Sequence, residues 1–387
     1  MRRPLFILVA CVVITDTMFF SAITPLLPDY ASDLNLSKTG AGILSAAYAG
    51  GTLLGTFPGA MLAARVGMRQ TVLAGMLLVA GSCLVFAFAQ NIVLLDAARF
   101  VQGVGGSFAW IGGLSWLVSE TSADRRGEII GSALAAAIFG VLMGPVLGAI
   151  ASVTGPEPVF ASAAVFGTAM AVWTYFTPAP GPAPFPGWRR VRRTIASAPI
   201  AAGFWLVMLP AMLSGAIWVL APLRLDELGA SGIAVGAVFL ISALVEGAAS
   251  PTFGRISDRR GRIWPIRIGL FATAAMSLAL PLPETILLLG ACVVASELAL
   301  GFCWTPAMAL LSDNVERAGV AQWLAFALVN LAWAGGQVLG GSGGGGLADA
   351  TSDGVTYAVV ASLLALTALA VAARGSEAAV PSAAVAE

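Results

Sequence analysis

The sequence of 387 residues contains no histidine, and only 10% of it is charged. Without imidazole there is no histidine proton relay and no credible transition-metal cluster. No GxxxxGK[ST] segment occurs, so a phosphate-cradling loop and direct drive by ATP are not expected. Cysteine is scarce. Cys11, Cys83, Cys292 and Cys303 all fall in apolar stretches, where they read as small packing residues. Net charge is zero, so no nucleic-acid surface is implied. With no nucleophile–base set and no soluble domain to hold one, an enzyme is not expected. Neither is a cofactor or a bound metal.

What the chain has is hydrophobicity. Apolar residues make up 58% of it, with a mean hydropathy of +0.91, whereas soluble domains carry about 25% charge. Twelve apolar runs recur, roughly at 5–28, 40–63, 70–89, 92–118, 129–152, 158–176, 198–222, 232–253, 264–282, 285–311, 322–347 and 355–373. Each is long enough to cross a hydrocarbon core of about 30 Å. A spanning segment satisfies its backbone hydrogen bonds internally, which favours helices. Barrel strands would alternate polar and apolar, and these runs do not. The fold expected is an all-α membrane protein, with twelve transmembrane helices in two pseudo-symmetric six-helix bundles around a central cavity.

With twelve spans and both termini cytoplasmic, seventeen arginines fall on one side, and only Lys38 and Arg224 on the other. This asymmetry fits the positive-inside rule and a multi-pass protein of the inner (plasma) membrane. The start, MRRPLFILVACVVITDTMFF, could pass for a signal peptide. Its apolar run continues beyond the usual length, and removing it would leave an odd number of spans, so it is read as the first span.

The chain reads as an internal repeat. Pro25–Gly67 and Pro222–Gly261 share a proline-ended span, a short loop ending near serine, a second span and a basic decapeptide. SETSADRRG at Ser119 matches SDNVERAG at Ser312, which pairs Glu120 with Asp313. The expected divisions are a bundle at 1–176, a Pro/Arg-rich cytoplasmic linker at 177–196, a bundle at 197–375 and a tail at 376–387. Six plus six spans suggest two bundles rocking about a central site.

Charge inside spans is the sharpest signal. Asp16, Glu246 and Glu297 lie within apolar runs, as does Arg99 with Asp96 three residues before it. An ionised residue in mid-membrane normally faces a cavity and has a partner. Asp96 and Arg99 can pair on one helix face. That leaves the three other acids to be protonated, hydrated or bound to a cation. Phe19, Phe20, Trp110, Trp218, Trp304 and Trp333 lie within spans rather than at interfaces, as do Gln102 and Asn330. These are candidates for lining a cavity, since aromatics beside carboxylates can hold an amphipathic cation. Core packing is the plainer role for any single ring.

The decapeptide GRISDRRGRI (Gly254–Ile263) reads as a charged cytoplasmic turn. Its glycines, Gly254 and Gly261, allow close approach or unusual backbone angles, and Asp258 can accept from a helix N-terminus or from arginines. The first-half copy, AMLAARVGMR, has Ala60 and Ala64 where the glycine and aspartate would stand. Gly140, Gly144 and Gly148 fall four apart on one helical face, with Pro145 among them, as a tight seam or a hinge would require. GQVLGGSGGGG (Gly336–Gly346) holds the corresponding place without a matching proline. Its glycines fit either close packing or local unwinding.

These stretches resemble known motifs. GRISDRRGRI resembles the signature between the second and third helices of the major facilitator superfamily, here in its second-half position. RFVQGVGGS (Arg99–Ser107) resembles the fourth-helix motif, and GVLMGPVLG (Gly140–Gly148) the fifth-helix motif of proton-coupled antiporters. DTMFFSAITPLLPDY resembles the first helix of twelve-helix drug:proton antiporters, including relatives of vesicular amine transporters. The resemblance covers nearly the whole chain. It implies proton-coupled efflux of small amphipathic or cationic molecules by alternating access, with the protein working as a monomer in the bilayer. It implies a part in proton transfer for Arg99. It also implies a conformational latch from Gly254, Asp258, Arg259, Gly261 and Arg262, with Arg65, Arg69, Glu120 and Asp313 at matching places. A proton-coupled importer or facilitator of a sugar, amino acid or other nutrient stays open on the same fold.

Overall fold

The computed structural model describes residues 3–121, 126–182, 196–318 and 322–377. The arginines of the central linker, Arg125, and the tail beyond residue 377 lie outside the described residues. Among those described, the regular elements are all helical. They are α1 (Arg3–Ser21), α2 (Lys38–Val66), α3 (Met68–Phe88), α4 (Ile92–Ser119), α5 (Arg126–Thr154) and α6 (Pro156–Phe176) in the first half. The second half holds α7 (Ala198–Glu227), α8 (Gly232–Arg260), α9 (Ile263–Ala279), α10 (Ile286–Arg317), α11 (Gln322–Val338) and α12 (Asp353–Glu377). The path of α1 continues through a 3₁₀ turn, Thr24–Leu26, into a short helix, Leu27–Asp33. That of α11 continues through a π-helical turn, Leu339–Gly343, into Gly344–Ala350.

Ten of these stretches are long and apolar enough to cross a membrane. The other two fall short for separate reasons. α9 has 17 residues, about 25 Å of helix. α2 has 29 residues but is diluted by six glycines. The repeat is visible in the helix ends. Ser37 and Ser231 cap the second helix of each half, and Asn91 and Thr285 cap the fourth; each accepts from a backbone N–H three residues on. Gly67 and Gly261 take positive φ, +101° and +80°, at the turn after the second helix. All three pairs are offset by 194 residues (37 to 231, 67 to 261, 91 to 285).

The decapeptide is not a turn. α8 runs on to Arg260, so only Gly261 and Arg262 form the connection. Arginines suit the C-terminus of α8, and Asp258 pairs across the helix end with Arg262 at 2.6 Å. Gly254 is helical with open space around it, so the unusual backbone belongs to Gly261 alone. Arg262 also donates to Asp313 on α10 at 3.2 Å and to Ser257 at 3.1 Å. This network stays inside the second half. Arg65 and Arg259 are exposed at the ends of α2 and α8, with Arg69 partly buried just beyond.

The halves meet mainly at one end. One apolar core runs continuously through both, from Phe19, Leu26 and Leu44 to Leu213, Ile217 and Leu220. A second core, with Leu8, Val12, Met76 and Trp116, belongs to the first half, and only Phe326 of the second packs on it. The bundles are therefore fused around the end of α1 and the start of α2, and far less joined toward the chain's N-terminus. Polar contacts repeat the asymmetry. Asp349 accepts from the backbone N–H groups of Lys38 and Thr39 at 3.0 and 2.7 Å, capping α2 from the opposite half. Lys38 pairs with Asp353 at 2.7 Å and approaches Glu227 at 3.9 Å.

The glycine run after α11 makes this contact possible, and it does so by both of the routes expected for it. It unwinds into the π turn, and it packs without side chains. A Cβ at Gly336 would strike the carbonyl of Met208 on α7, one at Gly340 that of Met212, and one at Gly345 that of Lys38. Removing the cap should loosen this end. Asp349→Ala loses these two hydrogen bonds and a third from Thr39 Oγ1, all to an exposed carboxylate, a net effect of about 1 kcal/mol after solvent competition. Spin labels at Asn35 and Ser352 should then report a larger separated population, and an unchanged distance distribution would reject the contact as a closure.

Candidate functional site

The site begins with a broken helix. Pro25 has no N–H to continue α1. α1 accordingly stops at Ser21, leaving the carbonyls of its last turn without helical donors. Arg99 supplies them. Its guanidinium donates to the carbonyls of Phe19 and Phe20 at 3.2 and 3.0 Å, and to Gln102 Oε1 at 2.8 Å. A cation at a helix C-terminus is favoured by the dipole as well. The guanidinium carbon also lies 5.8 Å from the Phe20 ring centroid and 5.4 Å from that of Tyr48.

The expected pairing of Arg99 with Asp96 does not form. No ion pair joins them among the described residues, and Asp96 Oδ1 has no hydrogen-bond partner. Arg99 is 1% exposed, and the carbonyls of α1, across the helix interface, engage both terminal nitrogens, while Nε has no partner among the described residues. Three-residue spacing brings Arg99 to Gln102 instead.

Asp16 is fully buried. Its Oδ2 accepts from Tyr48 Oη at 2.7 Å and from Trp110 Nε1 at 3.0 Å. Its Oδ1 has no partner and lies over Gly106, where an added Cβ would meet it. In the second half Glu297, 8% exposed, accepts from Trp218 Nε1 at 3.0 Å. Glu246 packs beside it on α8, against the bare face of Gly301 one turn after Glu297. Both glutamates line a cavity of about 30 Å³ with Ser21, Thr24, Val141 and Pro145 of the first half. That is the room of about one water. No ion pair to either glutamate or to Asp16 occurs among the described residues.

Aromatic rings connect the two acids across the half boundary. Phe20 stacks on Trp218 at 5.2 Å and meets Trp333 edge-on at 5.3 Å and Tyr48 at 4.7 Å. Phe19 turns the other way, onto Phe160. Trp304 packs on the main apolar core. Asn330 is partly buried on α11, three residues before Trp333. Tyr48 was not anticipated. Its one sequence signal is a lone large polar residue in the small-residue run AAYAGG. Trp110 and Trp304 hold equivalent places, 194 residues apart, yet only Trp110 has a carboxylate to serve.

The glycine seam packs α5 on α1. Gly140 lies on Ile14 and Thr17, Gly144 on Met18 and Ser21, and Gly148 on Ala22 and Pro25. Added Cβ atoms at Gly140 and Gly144 would lie 2.7 and 2.6 Å from the carbonyls of Ile14 and Met18, which excludes any larger residue.

Comparison with known proteins agrees with this architecture. The family model of the Major Facilitator Superfamily matches residues 9–321 and 203–385. The Synaptic vesicular amine transporter of Homo sapiens is 26% identical over 305 residues, covering 75% of this chain and 58% of that one. The "Probable vesicular acetylcholine transporter-B" of Danio rerio is 34% identical over 158 residues, covering 38% of this chain and 32% of that one. The chain thus spans a third to somewhat over half of the length of these two relatives. An "Uncharacterized MFS-type transporter YcaD" of Salmonella enteritidis is 24% identical, with 93% of each chain covered. The crystal structure of a D-xylose-proton symporter superposes with a TM-score of 0.76 at 17% identity, over 95% of this chain and 96% of that one. At that identity the likeness concerns the fold.

If Arg99 caps α1, charge alone will not replace it. Arg99→Ala should lower unfolding stability by at least about 2 kcal/mol, since hydrogen bonds to charged groups contribute roughly 1.5–3 kcal/mol each. Arg99→Lys should recover less than half of that, because one ammonium cannot copy the fork that reaches two carbonyls and Gln102. Thermal unfolding of the purified variants checks both values, and full recovery by lysine would contradict the cap.

Proposed function

The chain belongs to the major facilitator superfamily, and we propose that this member is a proton-coupled antiporter exporting small amphipathic cations. The observation that carries the reading is Asp16. It is a fully buried carboxylate with one oxygen held by Tyr48 and Trp110, the other unpartnered, and no basic residue ion-paired to it. Such a group suits a proton or a substrate ammonium in alternation. The neighbouring Phe20, Tyr48, Trp218 and Trp333 offer ring faces to an amphipathic cation. Glu246 and Glu297 give the second half an acidic site of its own, and the indole of Trp218 ties that site to the same rings.

The membrane is the inner (plasma) membrane in this reading, with both termini cytoplasmic. The end closed by Asp349 and Lys38 then faces outward. Entry of protons protonates the acids and releases substrate outside. Each charge moved draws about 2.3 kcal/mol per 100 mV, and each pH unit about 1.36 kcal/mol. A monovalent cation exchanged for one proton moves no net charge. It therefore draws on the pH difference alone, about tenfold accumulation per unit. The Asp258–Arg262–Asp313 network, with Arg65, Arg69, Arg259, Gly261 and Glu120 nearby in the repeat, acts as the cytoplasmic latch once the outer end opens.

The test is flux in proteoliposomes with an imposed pH gradient, with ethidium as the cationic probe. Asp16→Asn should fold normally and lose pH-driven ethidium movement by at least about tenfold. Glu297→Gln should slow it less, because Glu246 in the same cavity leaves the second half a titratable carboxyl. Counterflow without a pH gradient separates exchange from import of a nutrient. Undiminished coupled flux in Asp16→Asn would remove Asp16 from the mechanism.

A further inference from the structure

Pro145 lies inside α5 and has no N–H, so the carbonyl of Val141, four residues earlier, has no helical donor. Ser21 Oγ lies 3.1 Å from that carbonyl oxygen. Ser21 is buried, and its hydroxyl has a single proton to give. Two other acceptors are in reach, the carbonyls of Thr17 at 3.0 Å and Met18 at 3.4 Å. Thr17's carbonyl already takes the helical N–H of Ser21 itself, whereas Val141's takes none. A carbonyl without a partner is costly inside a bilayer, so the proton is better placed on Val141.

We infer that Ser21 is a positioning residue for transport: its hydroxyl supplies the hydrogen bond that Pro145 withholds and so fixes how α5 sits on α1 at this point. This stretch of α5 stands at two boundaries. Ser21, Val141 and Pro145 all line the cavity that holds Glu246 and Glu297. The carbonyl of Pro145 meets the bare face of Gly236 on α8, where an added Cβ would lie 2.9 Å from it. That contact crosses between the halves, at the end closed by Asp349. The close approach needs Gly144, because any side chain there would collide with Ser21 Oγ. Glycine and proline in this segment are thus one device with the serine. Gly144 lets the hydroxyl in, and Pro145 leaves a carbonyl for it. Thr17 provides an internal comparison. Its hydroxyl lies 3.1 Å from the Ala137 carbonyl, one turn earlier, but that carbonyl keeps the N–H of Val141.

The experiment is a double-substitution cycle of Ser21→Ala and Pro145→Ala, read by spin labels at Asn35 and Ser352, with the native cysteines replaced by alanine. With Pro145 in place, Ser21→Ala should change the ratio of closed to separated populations by roughly 3- to 20-fold, the range for interhelical hydrogen bonds in membranes. In the Pro145→Ala background, where the substituted residue restores the missing N–H, it should change nothing. Equal shifts in both backgrounds, or no shift in either, overturn the inference. If Pro145→Ala does not fold, Thr17→Ala takes its place, and it should shift the ratio by less than Ser21→Ala; an equal or larger shift overturns the inference. Pairing the same variants with ethidium flux reads the consequence for turnover, which rests on the antiport reading. Ethidium that the native protein does not move counts against that reading, while the label distances still decide the role of Ser21.

Discussion

Hydrocarbon offers no hydrogen bonds, so each backbone carbonyl inside the bilayer needs a donor from the protein. This constraint organises the first half of the molecule. Pro25, Pro58 and Pro145 each remove a donor, and at the first and last of these a neighbouring helix fills the gap. Pro25 ends α1, and Arg99 takes the carbonyls of Phe19 and Phe20. Pro145 frees Val141, and Ser21 comes within reach of it. Irregular backbone is tolerated here because it is buried in protein, and it carries the polar side chains into the interior.

The same polar economy explains how carboxylates survive without basic partners. Asp16 receives a phenol and an indole, and Glu297 an indole. Neutral donors stabilise a carboxylate less firmly than an arginine does, so the charge can be exchanged for a proton or matched by a ligand cation. Arg99 is close by, yet its two terminal nitrogens are turned to α1 and Gln102. A buried guanidinium committed to backbone carbonyls shapes the field around Asp16 without neutralising it. Phe20, between Trp218 and Trp333, makes the two acidic regions adjacent through rings that both halves contribute.

The closed end is built differently from the network at the other. Asp349 caps α2 across the half boundary, and glycines on both sides let the helices meet backbone to backbone. Asp258, Arg262 and Asp313 instead bind elements of one half to each other. A bundle held together at one end and loosely joined at the other is one of the two arrangements that rocking halves would visit.

Much of this was legible in the residues themselves. Hydrophobic runs of spanning length set the helix count, because the bilayer fixes the length of any segment that crosses it. The repeat was legible too, since Ser37, Gly67 and Asn91 recur at one offset as the caps and turns that helix ends require. Asp16, Glu246, Glu297 and Arg99 stood out because charge within an apolar run has no plain explanation. Their partners did not, and the reason is physical. Hydrogen bonds between helices depend on rotation and depth, which a one-dimensional pattern does not encode. Spacing therefore paired Arg99 with Asp96, while the tertiary structure gave it to α1. GRISDRRGRI read as a turn because it is charged, but α8 runs on to Arg260 and leaves only Gly261 and Arg262 to turn the chain. Tyr48, Ser21 and Asp349 gave almost no signal in the sequence. Each matters through an atom on a distant helix, and only the packing of the twelve helices decided which atom that would be.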